Sequence, residues 1–178
     1  MDSTRRETWS AVARSLHWLV ALMIFAQLAL GWIAEEMPKG PDKVTWMTGH
    51  KSLGVTILMF VLLRITWRLL HGRPAEPEGK AWELWSARLA HFALYALMVV
   101  VPVAGWIAAD TSSLPWQYWW SFATPDLMGA NHYIHELFED VHKAAIWSLV
   151  AVVAVHILAA LRHQFIKRNN VLRRMISG

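Results

Sequence analysis

Between His142 and His156 the sequence reads HKAAIWSLVAVVAVH. Residues 144–161 carry no formal charge, and with a helix that starts near Glu139 the segment is long enough to cross a bilayer, which takes about 20 apolar residues. The two histidines are fourteen residues apart. At about 1.5 Å rise and 100° per residue, they lie roughly 21 Å apart along the axis and within about 40° of one face. An ionisable side chain inside a membrane span is costly and is a functional candidate by default. This one helix therefore presents two candidates, one near each end.

Three further segments share its character. Residues 15–34 and 89–109 are uncharged runs of twenty and twenty-one residues. Residues 52–63 are only twelve before Arg64, but the span is long enough if it starts near Trp46 and lets Arg64 and Arg68 snorkel to the interface. The expectation is an all-α integral membrane four-helix bundle. It forms a single membrane domain over 1–178, with spans near 12–34, 46–70, 86–109 and 139–165. The 178 residues are 56% apolar and 17% charged, against about 25% charged in soluble domains, which excludes an evenly wetted soluble enzyme. Twelve tryptophans are a membrane-interface signature. The chain has no cysteine, which removes disulfides, thiolate zinc sites, iron–sulfur clusters and covalent c-type haem. Histidine remains as the strongest metal ligand.

A net charge of +4 raises nucleic acid as a partner. The basic residues, however, sit at the ends of apolar segments rather than forming a stripe, so no nucleic-acid partner is expected. Thirteen of the seventeen Lys and Arg fall on the side shared by the N-terminus, the 64–88 connection and the C-terminus, including Arg5, Arg6, Arg14, Arg64, Arg68, Arg73 and Arg88. Lys39, Lys43, Lys51 and Lys143 lie opposite. The positive-inside rule then puts both termini in the cytoplasm, in a bacterial inner (plasma) membrane. The first span reads as an uncleaved helix, because its apolar run exceeds a signal-peptide core and no clean small-residue cleavage site follows. Residues 37–42 are a short turn-rich connection, and 72–79, with Pro74 and Pro77, a cytoplasmic linker. The longest loop, 110–131, holds Trp116, Trp119 and Trp120 and is expected to cap the outer interface.

Five of the nine histidines fall within or at the ends of spans: His17, His50, His91, His142 and His156. His163 lies just past the fourth span, and His71, His132 and His135 read as loop residues. His17 shares the cytoplasmic depth of His156, and His50 the outer depth of His142. Two opposed imidazoles from different helices are what a six-coordinate b-type haem needs. Depth pairing therefore gives an inner haem on His17 and His156 and an outer haem on His50 and His142, an electron path through the roughly 30 Å hydrocarbon layer. A single membrane histidine serves equally well as an interhelical hydrogen-bonding residue. Four matched by depth, two of them on one face, fit that reading less well. For zinc no His-Glu-x-x-His stretch exists, and His132 with His135 is weak evidence. A histidine-lined metal or proton transporter would need polar groups deep in the spans, where Gln27 stands nearly alone.

The remaining landmarks are ordered along the whole chain. The first span begins Ser15-Leu16-His17-Trp18-Leu19-Val20; the second holds His50, Gly54 and Arg64; in the third, His91 is followed by Tyr95, Pro102 and Gly105. After His142, His156 and His163 come Asn170, Leu172, Arg173 and Arg174. In this set the sequence resembles the bacterial cytochrome b561 family of integral di-haem proteins. The resemblance implies two haem b on His17, His50, His142 and His156, the set that depth matching also reaches. It implies electron exchange with ubiquinone and, in one branch, oxidation of superoxide at the periplasmic face, a superoxide:ubiquinone oxidoreductase. Related cytochromes serve instead as haem-bearing membrane anchors for a separate dehydrogenase or hydrogenase, with a redox protein as donor.

His163, seven residues beyond His156, faces within about 20° of it and about 10 Å further along. That suits a hydrogen-bond donor to a quinone carbonyl near the inner haem, or an interfacial contact with headgroups. His91 is placed to bond a haem propionate or a neighbouring helix. Arg14, Arg64, Arg68 and Arg88 ring the same depth, where a guanidinium fork suits propionates and where topology alone also calls for basic residues. Lys51 and Lys143 each follow an outer ligand directly and are candidates to neutralise propionates or attract a small anion such as superoxide. Gly31, Gly49, Gly54 and Gly105 would allow close approach of a helix or macrocycle. Pro102 is expected to kink the third helix.

Overall fold

The computed structural model describes residues 8–72, 74, 79–112, 114 and 116–177. Arg5, Arg6, Arg73 and Pro77, which carry part of the topology and linker reading, lie outside the described residues. Four long helices dominate: α1 (Ala11–Glu36), α2 (Pro41–His71), α3 (Ala81–Asp110) and α4 (His132–Phe165). A two-stranded antiparallel hairpin, β1 (Gln117–Tyr118) and β2 (Phe122–Ala123), sits in the α3–α4 connection, and a short α5 (Arg173–Ile176) follows α4. All four long helices are apolar enough to cross a membrane.

Each helix begins upstream of its apolar run, where a cap rather than hydropathy sets the start. Ser10 Oγ accepts from the Ala13 N–H at 3.2 Å, and Asn131 Oδ1 from the Ile134 N–H at 3.1 Å. Pro41 opens α2, where its missing N–H leaves no bond unmade. The Glu83 carboxylate accepts from the Lys80 N–H at 3.3 Å and starts α3. Hydropathy marks only the bilayer core, so the helices outrun the expected spans. His132 and His135 therefore lie on the first turns of α4, and His71 is the last residue of α2, not loop residues as expected. The turn-rich connection at 37–42 likewise gives up Pro41 and Asp42 to α2.

Helix α1 packs on α2, α3 on α4, and α2 against α3, while α1 and α4 make no comparable backbone approach. The core takes residues from all four helices: Val20, Ile57, Val61, Leu94, Met98 and Leu149. Leu149 is seven residues from both His142 and His156, so the apolar core is a layer between two histidine levels. Outward faces are apolar: Leu22 is 67% exposed and Trp147 70%. Lipid leaves no hydrophobic drive between helices, so van der Waals fit and interhelical hydrogen bonds hold the bundle. The α3 helix continues through Pro102.

The hairpin turns on Trp119 and Trp120, at φ 46° and 57°. Left-handed positions of this kind favour Asn-Gly, and a bulky residue there costs roughly 1–2 kcal/mol. Docking on α2 offsets the strain. The buried Ser52 Oγ accepts from the Trp119 N–H at 2.8 Å, Thr56 Oγ1 lies 2.9 Å from the Tyr118 hydroxyl, and the Trp119 indole donates to Thr56 at 3.3 Å. The expected cap is present, and its footing is the flank of α2.

Candidate functional site

The histidines chosen by depth meet in pairs. His50 on α2 and His142 on α4 face each other with ring centres 6.3 Å apart and planes at 85°. His17 on α1 and His156 on α4 do so at 6.4 Å and 67°. An imidazole nitrogen binds a metal at about 2 Å, with its ring centre about 1.15 Å behind, so two imidazoles facing each other across one iron would set their ring centres about 6.3 Å apart. Both pairs match that spacing. His91 also joins the termini end, 5.4 Å from His156, too close for an iron midway between them. The histidines thus form a facing pair near the hairpin and a pair with a third ring near the termini.

At the hairpin end one of the two rings is held by backbone. His142 Nδ1 lies 2.7 Å from the carbonyl of Val101, the residue before Pro102. A ring N–H donated there leaves Nε2 with the lone pair that a metal requires. Gly105 lies beneath the same ring, where a Cβ would come within 2.8 Å of His142 Cε1. Gly31 stands to His50 in the same way, at 2.9 Å. The side chain of Gln27 donates to the His50 carbonyl at 2.9 Å and lies 3.4 Å from its Nε2. His17 Nδ1 and His50 Nδ1 are buried without a hydrogen-bond partner among the described residues.

Cations gather at the termini end. The Arg64 and Arg68 guanidinium groups lie 5.5 and 5.2 Å from the Tyr95 ring, and Arg68 donates to its hydroxyl at 3.1 Å. Arg64 is within electrostatic reach of His17, His91 and His156. The buried Glu83 accepts from Arg162 at 3.3 Å and from Lys167, tying α3 to the end of α4. The Trp18 indole donates to the Met175 carbonyl at 2.8 Å, which fastens α5 beside His17.

The other sequence candidates divide. His163 Nδ1 is 2.8 Å from Asn169 Nδ2. In the tautomer that accepts this bond, Nε2 is the donor. Among the described residues no hydrogen bond or ion pair joins the Arg14 side chain to the histidine cluster. Lys143 is paired with Glu139 at 2.6 Å, and Lys51 lies over the Trp116 ring at 5.8 Å. Lys143 thus has its charge paired along its own helix. Gly49 meets the Trp120 ring instead of a histidine, and Gly54 meets Gln27. The Val101 carbonyl and Gln27 were not among the site residues read from the sequence. A backbone carbonyl leaves no sequence signal; Gln27 did, as the polar residue deepest in a span.

The sequence profile of prokaryotic cytochrome b561 matches residues 8–178. Cytochrome b561 homolog 2 of Escherichia coli (strain K12) is 25% identical over 178 residues, covering 96% of this chain and 92% of its own length. Cytochrome b561 homolog 1 of the same strain is 26% identical over 165 residues, covering 90% and 92%. A probable superoxide oxidase CybB of Yersinia pestis is 25% identical over 174 residues, covering 94% and 95%.

Proposed function

The chain belongs to the prokaryotic cytochrome b561 family of membrane electron-transfer proteins with b-type haem, and from that premise we propose that it carries two haems and passes single electrons between them across a bacterial inner membrane. The observation that carries this reading is the spacing of the two pairs, 6.3 and 6.4 Å between ring centres. His50 and His142 would hold the outer haem, His17 and His156 the inner one. When bound, each haem supplies one-electron iron chemistry. The chain's own part is to hold the ligands and partner the propionates, with Arg64 and His91 as candidates at the inner end and Arg14 nearby. Both termini are placed in the cytoplasm, on the charge asymmetry of the loops.

Ubiquinone is the proposed electron acceptor at the inner end. His163, with its proton on Nε2, is the residue to donate to a quinone carbonyl there. Superoxide is the proposed donor at the outer end, on the likeness to the probable superoxide oxidase. Two superoxide ions would each give up one electron and leave as dioxygen; one ubiquinone would take both electrons and two protons. The alternative is a haem-bearing anchor fed by a dehydrogenase or hydrogenase subunit.

The test is a reduced-minus-oxidised visible spectrum with haem quantification on the purified protein and on His142→Ala. Two low-spin b haems per chain, falling to one in the variant, is the expected result. A colourless wild-type protein would overturn the reading. Reduction by superoxide but not by quinol-free buffer supports the enzyme; failure with both superoxide and quinol leaves the anchor subunit.

A further inference from the structure

Gln27 is a polar side chain in the middle of an apolar helix, where an amide without compensation is costly. Its surroundings explain it. Gln27 and Gly31 are one turn apart on α1, and both meet the ring or backbone of His50. His50 and Gly54 are one turn apart on α2, and both meet Gln27. The Gln27 amide donates to the His50 carbonyl at 2.9 Å, and its nitrogen lies 3.4 Å from His50 Nε2. Gly31 leaves room for the same ring so narrowly that a Cβ would stand 2.9 Å from Cε1 and 3.1 Å from Nδ1. Gly54 in turn closes on the amide, its Cβ position 3.1 Å from Gln27 Nε2. Each partner fills the gap that the other's glycine leaves.

We propose that Gln27 is a positioning residue for the outer haem ligand: with Gly31 it fixes the rotation of the His50 imidazole and sets an amide N–H beside that ring. The inference rests on the assignment of His50 and His142 as ligands of one haem. The counterpart ring, His142, has its own restraint in the Val101 carbonyl; His50 has no backbone partner for Nδ1, so Gln27 is what orients it. The two planes stand at 85°. Near-perpendicular axial imidazoles give a ferric low-spin haem a strongly anisotropic electron paramagnetic resonance signal, whose position reports the angle between them. The donor end of the amide also favours the less positive, reduced iron.

The test is Gln27→Met, which keeps the volume and removes the amide, studied as haem-loaded protein. Haem content should stay at two per chain. The outer signal should broaden and move toward that of parallel rings, and the outer midpoint potential should fall while the inner one holds. Gly54→Ala, which presses a methyl on the amide without touching the ring, should move the same signal less, and it stands in if Gln27→Met does not assemble. Two haems with an unchanged outer signal and potential in either variant overturn the inference and leave the di-haem reading intact. A wild-type protein without haem overturns that reading itself.

Discussion

At the hairpin end each imidazole of the facing pair rests on a glycine, Gly31 under His50 and Gly105 under His142, and His142 is tied to a backbone carbonyl. At the termini end no described glycine meets His17 or His156 in that way; a third imidazole stands beside the pair instead, two arginines gather around a tyrosine, and a buried carboxylate with two cations ties α3 to the end of α4. Glycines and carbonyls restrain a ring without titrating. Imidazoles, phenols and guanidinium groups move or balance protons and charge. One end restrains its pair of rings, and the other gathers titratable groups and positive charge beside its own. On the proposed function, that division would serve single-electron entry at the first end and proton-coupled quinone reduction at the second.

The comparison stands or falls on the pairing. Replacing His50 or His142 by Ala should remove the same haem, and the double variant should lose no more than either alone. His17→Ala and His156→Ala should remove the other. His91→Ala should keep both, because its ring is 5.4 Å from His156 and so stands beside the pair rather than across an iron from it. Haem stoichiometry by pyridine haemochrome, with the two low-spin signals separated, reads the whole set. A haem lost with His91 and kept with His17 would exchange their roles.

The pairing was legible because helical rise converts sequence separation into depth, and four histidines on three helices must agree in depth to face one another. The helix ends were less legible. Hydropathy reports the bilayer core and is silent about Asn131 or Glu83, whose caps carry α4 and α3 into the polar interface. The hairpin was invisible: Trp119-Trp120 has none of the chemistry of a tight turn, and only Ser52 and Thr56, 67 and 63 residues away, make it affordable. The pairing of Lys143 with Glu139 is an ordinary helical neighbour contact, legible from their four-residue spacing.

A smaller, sharper break concerns the glycines. In Gly105→Ala the new methyl would stand 2.8 Å from His142 Cε1, and the ring cannot retreat without giving up its bond to Val101. Outer haem content should fall by half or more, with the inner haem unchanged. Gly49→Ala is the control one residue from His50: its methyl would meet the Trp120 ring at 3.5 Å, an ordinary contact, and both haems should remain. Equal loss in the two variants would mean that glycine serves general helix packing at this end, not the ligand rings.

The smallest effect is expected at the cap. Ser52 is fully buried, and its hydroxyl both donates to the Thr48 carbonyl and accepts from the Trp119 N–H. In Ser52→Ala the Trp119 N–H loses its partner, at a cost of about 1–2 kcal/mol. The Thr48 carbonyl keeps its helical bond and adds little. The loss falls on a turn already held in left-handed backbone at two tryptophans, so local opening should release it well before the bundle loosens. Hydrogen exchange at the Trp119 amide should quicken by about tenfold per 1.4 kcal/mol, with both haems and their potentials in place. If exchange is unchanged, the Thr56–Tyr118 bond and the seat of Trp120 on Gly49 suffice to hold the hairpin. If an outer haem signal shifts as well, the cap is part of the restraint on His50, and the contrast between the two ends extends from the ligand rings to the surface above them.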